Sequence, residues 1–191
     1  MTAQRLLIYV VAAVAAASAG IALRYNEQAR QMAEAQALVA RGTVGAPAPE
    51  LRLPDLAGRM HTLDAYRGRV VLVNFWATWC PPCLREIPSF EKIRQRYLGR
   101  GFEVLGVAVD DTDAVRRFVR EHGVTYPQLL AGARGTALMA RFGNRHGALP
   151  YSLLVDQQGI VRLAHAGELR PETLTEHLQA LLEAAPGGPP P

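Results

Sequence analysis

Cysteine is nearly missing from this chain: its 191 residues hold only Cys80 and Cys83. A scaffold stapled by several disulfides is therefore excluded, and a bridge between these two would be a poor staple. So small a loop constrains the unfolded chain by only about 2 kcal/mol on the loop-entropy model. A closed zinc site normally needs four nitrogen or sulfur ligands. No second cysteine pair exists, and the histidines (His61, His122, His146, His165 and His177) are scattered without ligand spacing. Lysine is scarcer still, since all but Lys92 of the 21 basic side chains are arginine. The net charge is +4, but the arginines are spread along the chain rather than clustered with aromatics, which argues against a nucleic-acid partner. A solvated surface or weak attraction to anionic lipid fits this basic balance better. Internal repeats are absent.

What is present gathers around the two cysteines. Val70 to Trp76 is apolar and β-branched, follows Gly68 and Arg69, and reads as a buried strand. Leu84 to Tyr97 carries Ile87, Phe90, Ile93 and Tyr97 at helical spacing. Trp79-Cys80-Pro81-Pro82-Cys83 thus sits at a strand-to-helix junction, with Cys80 at the helix N-terminus. Two thiols two residues apart can close a disulfide within one turn and exchange two electrons as a unit. The thiolate is the attacking form, and its pKa falls from ~8.5 at helix N-termini and in C-x-x-C pairs. Unpaired amides and the positive end of the helix dipole stabilise the anion there. Cys80 is expected to be the exposed nucleophile, and Cys83, buried one turn in, to resolve the mixed disulfide. Pro81 and Pro82 suit the first turn but cannot donate to the Cys80 sulfur, which points to a more reducing couple. Two buried cysteines acting as apolar filler is the bland alternative; the setting favours redox chemistry.

Glu86 lies three residues beyond Cys83 and shares its helix face. It is either a solvent-facing glutamate stabilised by the helix dipole, or a partly buried carboxylate of raised pKa that can move the proton of Cys83. Pro88 removes one helical hydrogen bond and is expected to kink the helix.

The run Asn74-Phe75-Trp76-Ala77-Thr78-Trp79-Cys80-Pro81-Pro82-Cys83, then Glu86-Ile87-Pro88, resembles the membrane-anchored, thioredoxin-like thiol:disulfide oxidoreductases of the TlpA/ResA type. The likeness runs from about Gly45 to Leu182. Leu53-Pro54-Asp55-Leu56-Ala57-Gly58 with Tyr66-Arg67-Gly68 is similar to that family's N-terminal hairpin, Phe102 to Asp111 to its next strand and turn, and Leu149-Pro150 before Ser152 to Asp156 to its cis-proline strand. The resemblance implies a thioredoxin fold, no bound cofactor, and catalysis by Cys80, Cys83 and Glu86. X–Pro bonds are cis in only ~5–6% of cases in folded proteins, so Leu149-Pro150 by itself reads as trans. The resemblance implies cis, with Trp79, Leu149 and Pro150 lining a groove for an extended substrate segment. It also implies reductive work outside the cytoplasmic membrane on disulfide-containing proteins, such as apocytochrome c or a copper-site protein, with a membrane thiol electron donor. A monomer is expected. One departure from cytoplasmic thioredoxins is Asn74, which stands at their buried aspartate position and so cannot accept a proton there. The alternative is a copper-binding assembly factor using the same soft thiolates, with His146 as a third ligand candidate; such relatives space their cysteines by three residues. A thiol peroxidase lacks support, because the proline and threonine pattern before the attacking cysteine is absent.

Leu6 to Leu23 is an 18-residue uncharged apolar run, long enough to span a bilayer. Ala17-Ser18-Ala19 also fits a signal-peptide cleavage site. The run continues apolar through Ile21, Ala22 and Leu23, which favours a retained anchor. Arg5 precedes the run while Arg24 and Arg30 follow it, so charge leaves orientation open; the family places the catalytic domain on the periplasmic side of the inner membrane. The expected organisation is a short cytoplasmic N-terminus (1–5), a transmembrane signal anchor (6–23), a stalk and linker (24–44), a thioredoxin-like domain (45–183) and a disordered tail (184–191). The stalk's helical part, 24–41, would reach about 27 Å. Within the domain, Val104–Val109, Ser152–Asp156 and Ile160–Ala166 read as strands, and Asp113–His122, Gly135–Phe142 and Pro171–Leu182 as helices. The fold class is α/β: a three-layer α/β/α sandwich around a mixed sheet, with an N-terminal β-hairpin extension.

Overall fold

The computed structural model describes residues 18–24, 26–27 and 43–184. Most of the expected membrane span, the stalk and the C-terminal tail lie outside those residues. Residues 18–24 and 26–27 are helical, and no helix among the described residues is long and apolar enough to cross a membrane.

The domain that follows opens with a hairpin, β1 (Arg52–Pro54) against β2 (Met60–Thr62). Asp55 closes its turn: Oδ1 accepts the backbone N–H of Ala57 and Arg59 at 2.8 and 2.9 Å, and Gly58 takes φ 80°, where a side chain would be strained. A five-stranded sheet follows in the order β5-β4-β3-β6-β7. Its strands are β3 (Val70–Trp76), β4 (Phe102–Ala108), β5 (Gln128–Leu130), β6 (Tyr151–Val155) and β7 (Val161–Ala166). The first three are parallel, while β6 and β7 add antiparallel pairs, so the sheet is mixed as expected. β3 is buried along its whole length, which explains its continuous apolar reading: a strand covered on both faces need not alternate.

Four α-helices accompany the sheet: α1 (Pro81–Tyr97), α2 (Thr112–His122), α3 (Gly135–Arg141) and α4 (Pro171–Glu183). One core joins α1, α2 and α4 to one sheet face through Phe90, Ile93, Phe118 and Leu174. The other core sets Met139 of α3 and Phe142 against the opposite face, together with Leu51 and Leu53 of the N-terminal segment. The third layer of the sandwich is thus a single short helix completed by the hairpin. The chain joins the domain before the hairpin, for Gly45 N–H donates to the Val161 carbonyl at 2.8 Å. Strand β5 was not anticipated from sequence. Three residues led by Gln128 carry neither length nor alternation, and their strand state comes from pairing with Gly106–Ala108 of β4.

Candidate functional site

Cys80 is the N-cap of α1, with extended φ/ψ of −100° and 98°, and Pro81 and Pro82 fill the first two helical positions. The chain must leave β3 at Trp76 and turn into α1 within four residues, and Asp110 holds that turn. Its Oδ2 accepts the Thr78 backbone N–H at 2.8 Å and the Thr78 hydroxyl at 2.6 Å. Although burial opposes it, these bonds and the Asp111 N–H keep the Asp110 carboxyl below its ordinary pKa. Cys80 and Cys83 form a disulfide. Contrary to expectation, Cys80 is not an exposed side chain: it is 4% exposed, against none for Cys83. The bond draws its sulfur onto the first turn of α1, where both cysteines join the core beside Trp76 and Ile87. The small exposure that remains belongs to Cys80. Beside it Trp79 is 67% exposed, large and apolar.

Leu149-Pro150 is cis, as the resemblance implied. Tyr151, the next residue, pairs with Phe75 near the end of β3 and with Ala166 at the end of β7. The segments 77–80, 142–150 and 167–170 therefore gather at one end of the sheet, and the disulfide lies among them. Leu149 is half-buried and packs against both cores. Its backbone makes no intrachain backbone hydrogen bond among the described residues. Pro150 is buried, and its carbonyl accepts the Gly167 N–H at 2.9 Å. Trp79, Leu149 and Pro150 thus stand at the same end of the sheet as the disulfide.

Glu86 is 2% exposed, so the solvent-facing alternative is excluded. The Asn74 amide donates to its Oε1 at 2.7 Å, and the Leu169 backbone N–H to its Oε2 at 2.8 Å. Burial is the dominant influence, partly offset by these two bonds, and it pushes the carboxyl up to about 7. Asn74 Nδ2 also reaches Ser152 Oγ at 3.0 Å, while Asn74 Oδ1 is buried without a partner. Asn74 belongs to a row of residues that face one another directly across the whole sheet: Gln128, Gly106, Asn74, Ser152 and His165. Gly106 leaves room for the Gln128 side chain, which a β-carbon there would overlap. Gln128 in turn accepts the buried Trp76 indole N–H at 2.8 Å.

Asp110, Ser152, Gln128 and Leu169 were not singled out from sequence. Only strand pairing hinted at them, because their partners lie far along the chain. His146, the third ligand of the copper alternative, is exposed on the segment before Pro150, and no group of three or more metal-ligating side chains forms among the described residues.

The sequence pattern of the AhpC/TSA family matches residues 44–164, most of the catalytic domain. The chain belongs to the AhpC/TSA family. Among its relatives is the thiol-disulfide oxidoreductase ResA of Geobacillus thermodenitrificans, 36% identical over 139 residues, which cover 72% of this chain and 78% of the relative. ResA of Bacillus anthracis is 34% identical over the same shares. A solved thiol:disulfide interchange protein of the thioredoxin family from Chlorobium tepidum superposes with a TM-score of 0.64 at 27% identity, covering 72% of this chain and 97% of that one. A DsbF homologue from Corynebacterium diphtheriae gives 0.64 at 25% identity, over 71% and 87%. The family member described here is a thiol-disulfide oxidoreductase with a thioredoxin-like fold, and disulfide-containing proteins are its substrates.

Proposed function

We propose that this oxidoreductase works as a membrane-anchored, extracytoplasmic protein disulfide reductase, with Cys80 as nucleophile, Cys83 as resolving thiol and Glu86 as the proton carrier. The observation that carries the reading is the Glu86 carboxyl buried one turn beyond Cys83 and held by Asn74 and the Leu169 N–H, a setting in which burial pushes it up to about 7. At that midpoint it can take and return a proton near neutral pH.

In the reduced enzyme the Cys80 thiolate attacks one sulfur of a substrate disulfide, forming a mixed disulfide and expelling the other substrate sulfur as a thiolate. Ionised Glu86 then takes the Cys83 proton. The Cys83 thiolate attacks the Cys80 sulfur, the second substrate sulfur leaves, and the Cys80–Cys83 disulfide closes. Two electrons pass to the substrate, and the protonated Glu86 supplies a proton to the departing thiolate. A membrane thiol donor returns the enzyme to its dithiol state. Trp79 and the free backbone of Leu149, beside cis-Pro150, receive the extended segment that carries the substrate disulfide. Residues 6–23 hold the domain to the inner membrane on its periplasmic side, where apocytochrome c and copper-site proteins are the disulfide-bearing substrates to be served.

Reduction potential and trapping test this reading together. A couple near thioredoxin's ~−270 mV supports reduction, whereas one near ~−120 mV marks an oxidant. Cys83→Ser in the full chain stalls the mixed disulfide, so mass spectrometry of the trapped species names the substrate. Stoichiometric Cu(I) binding with negligible disulfide turnover would replace the reductase by a copper assembly factor.

A further inference from the structure

Five segments meet at the end of the sheet that holds the disulfide: 77–80 after β3, 109–111 after β4, 131–134 after β5, 142–150 before β6, and 167–170 after β7. Their charges are unevenly employed. The carboxylates are occupied: Asp110 holds Thr78, Asp111 caps α2 by accepting from Asp113 and Ala114, and Glu168 is paired with Arg85 at 2.6 Å. The cations are not. Arg134, Arg145 and Arg170 are exposed, and among the described residues none of their guanidinium groups makes an ion pair or hydrogen bond. His146, beside Arg145, is exposed too. From Gly123 to Val155 the chain has no aspartate or glutamate at all. Asp111, Glu168 and Glu172 are exposed carboxylates there, and Glu172 sits in the first turn of α4, where the helix dipole already favours it.

We propose that this unpaired basic rim, Arg134, Arg145 with His146, and Arg170, selects substrates whose disulfide is flanked by acidic residues. The proposal rests on the reductase reading above and names its substrate class. A segment lying along Leu149 and cis-Pro150 follows directly on Arg145 and His146, so carboxylates a few residues from the substrate cysteine reach guanidinium groups that have no internal partner to give up. Free arginines suit this task, since their planar fork meets a carboxylate at two points. Exposed charge of this kind acts chiefly by raising the rate of productive encounter, and salt screens it.

The test uses the reduced full chain in neutral-lipid detergent micelles and three peptides with the same disulfide core, flanked by glutamate, serine or lysine. The rate constant for reduction of the glutamate peptide should exceed that of the lysine peptide by about tenfold at low ionic strength, within the range of electrostatic steering. The gap should close in high salt. Arg134→Glu with Arg145→Glu should reverse the order of the peptides while leaving reduction of a small neutral disulfide, hydroxyethyl disulfide, unchanged. Equal rates for the three peptides with normal reduction of hydroxyethyl disulfide would overturn the rim's role and leave the reductase intact. Failure to reduce hydroxyethyl disulfide would instead overturn the reductase reading and this proposal with it. Vesicles containing anionic phosphatidylglycerol provide the last arm: Arg145-dependent binding to them, without discrimination among peptides, would assign the rim to lipid.

Discussion

Replacing Glu86 by glutamine removes a charge from a site that resists it, and the consequence for stability has a definite sign. The carboxyl is pushed from its ordinary 4.5 up to about 7 by burial. A carboxyl whose folded pKa lies above its unfolded value keeps its proton longer in the folded state. The penalty for ionising it in place is therefore absent below about 4.5, grows between 4.5 and 7, and is complete above about 7. At about 1.4 kcal/mol for each tenfold change in proton affinity, the full penalty is about 3 kcal/mol. Glutamine has nearly the same shape and no charge. The oxidised Glu86→Gln variant should therefore gain about 3 kcal/mol relative to wild type between acid and mildly alkaline pH. Urea unfolding of both proteins at pH 4.5, 6 and 8, with the disulfide intact, measures that difference. Parallel curves, with a constant gap at every pH, would refute the claim that a carboxyl is being ionised inside the domain. In the reduced protein the same variant should shift the pH profile of thiol reactivity while leaving the fold intact, and an unchanged profile would remove Glu86 from the mechanism.

Other perturbations follow from contacts already described. Asp110→Ala leaves the Thr78 N–H and hydroxyl without their acceptor, so the domain should lose about 1–3 kcal/mol in urea unfolding, and peptide disulfide reduction should slow as the loop before Cys80 loosens. Gln128→Ala strands the buried Trp76 indole N–H, at a similar cost of about 1–3 kcal/mol. Gly106→Ala forces a β-carbon against the Gln128 side chain. Combined with Gln128→Ala it should cost less than the two single losses added together, and a double-mutant cycle reads that coupling. Phe90→Ala empties a fully buried site on α1 and should cost about 3–5 kcal/mol in urea unfolding. An effect under 1 kcal/mol would mean that α1 is not anchored there.

The elements that the sequence made legible are those whose cause is local. A β-branched run bounded by Gly68 and helical spacing after Cys83 each act over a few residues, and the strand and helix stand there, whereas the hairpin around Leu53 to Gly58 was legible by resemblance. The cis geometry before Pro150 was legible only by resemblance, because the local preference of an X–Pro bond is trans. The spacing of Glu86 named its helix face, but its burial depends on Leu169, 83 residues away. Thr78 meets Asp110 across 32 residues and Asn74 meets Ser152 across 78. No pattern within one segment encodes such pairs; they exist because β3, β4 and β6 lie side by side. The exposure expected for Cys80 failed for a similar reason: helix position set which sulfur faces outward, but the disulfide set how far.

The oxygen of Asn74, without a partner among the described residues, bears on how the domain would accommodate a proton on Glu86. Rotated end for end about its last side-chain bond, the amide would present Oδ1 to Glu86 instead of Nδ2. That orientation suits a protonated carboxyl, which donates, as well as the present one suits a carboxylate, which accepts. Ser152 loses nothing in the exchange, because a hydroxyl can take either part. The swivel exchanges an unmet acceptor for an unmet donor, because Nδ2 then points where Oδ1 has no partner, so an acceptor for the protonated carboxyl comes at the cost of a stranded N–H, about 1–3 kcal/mol.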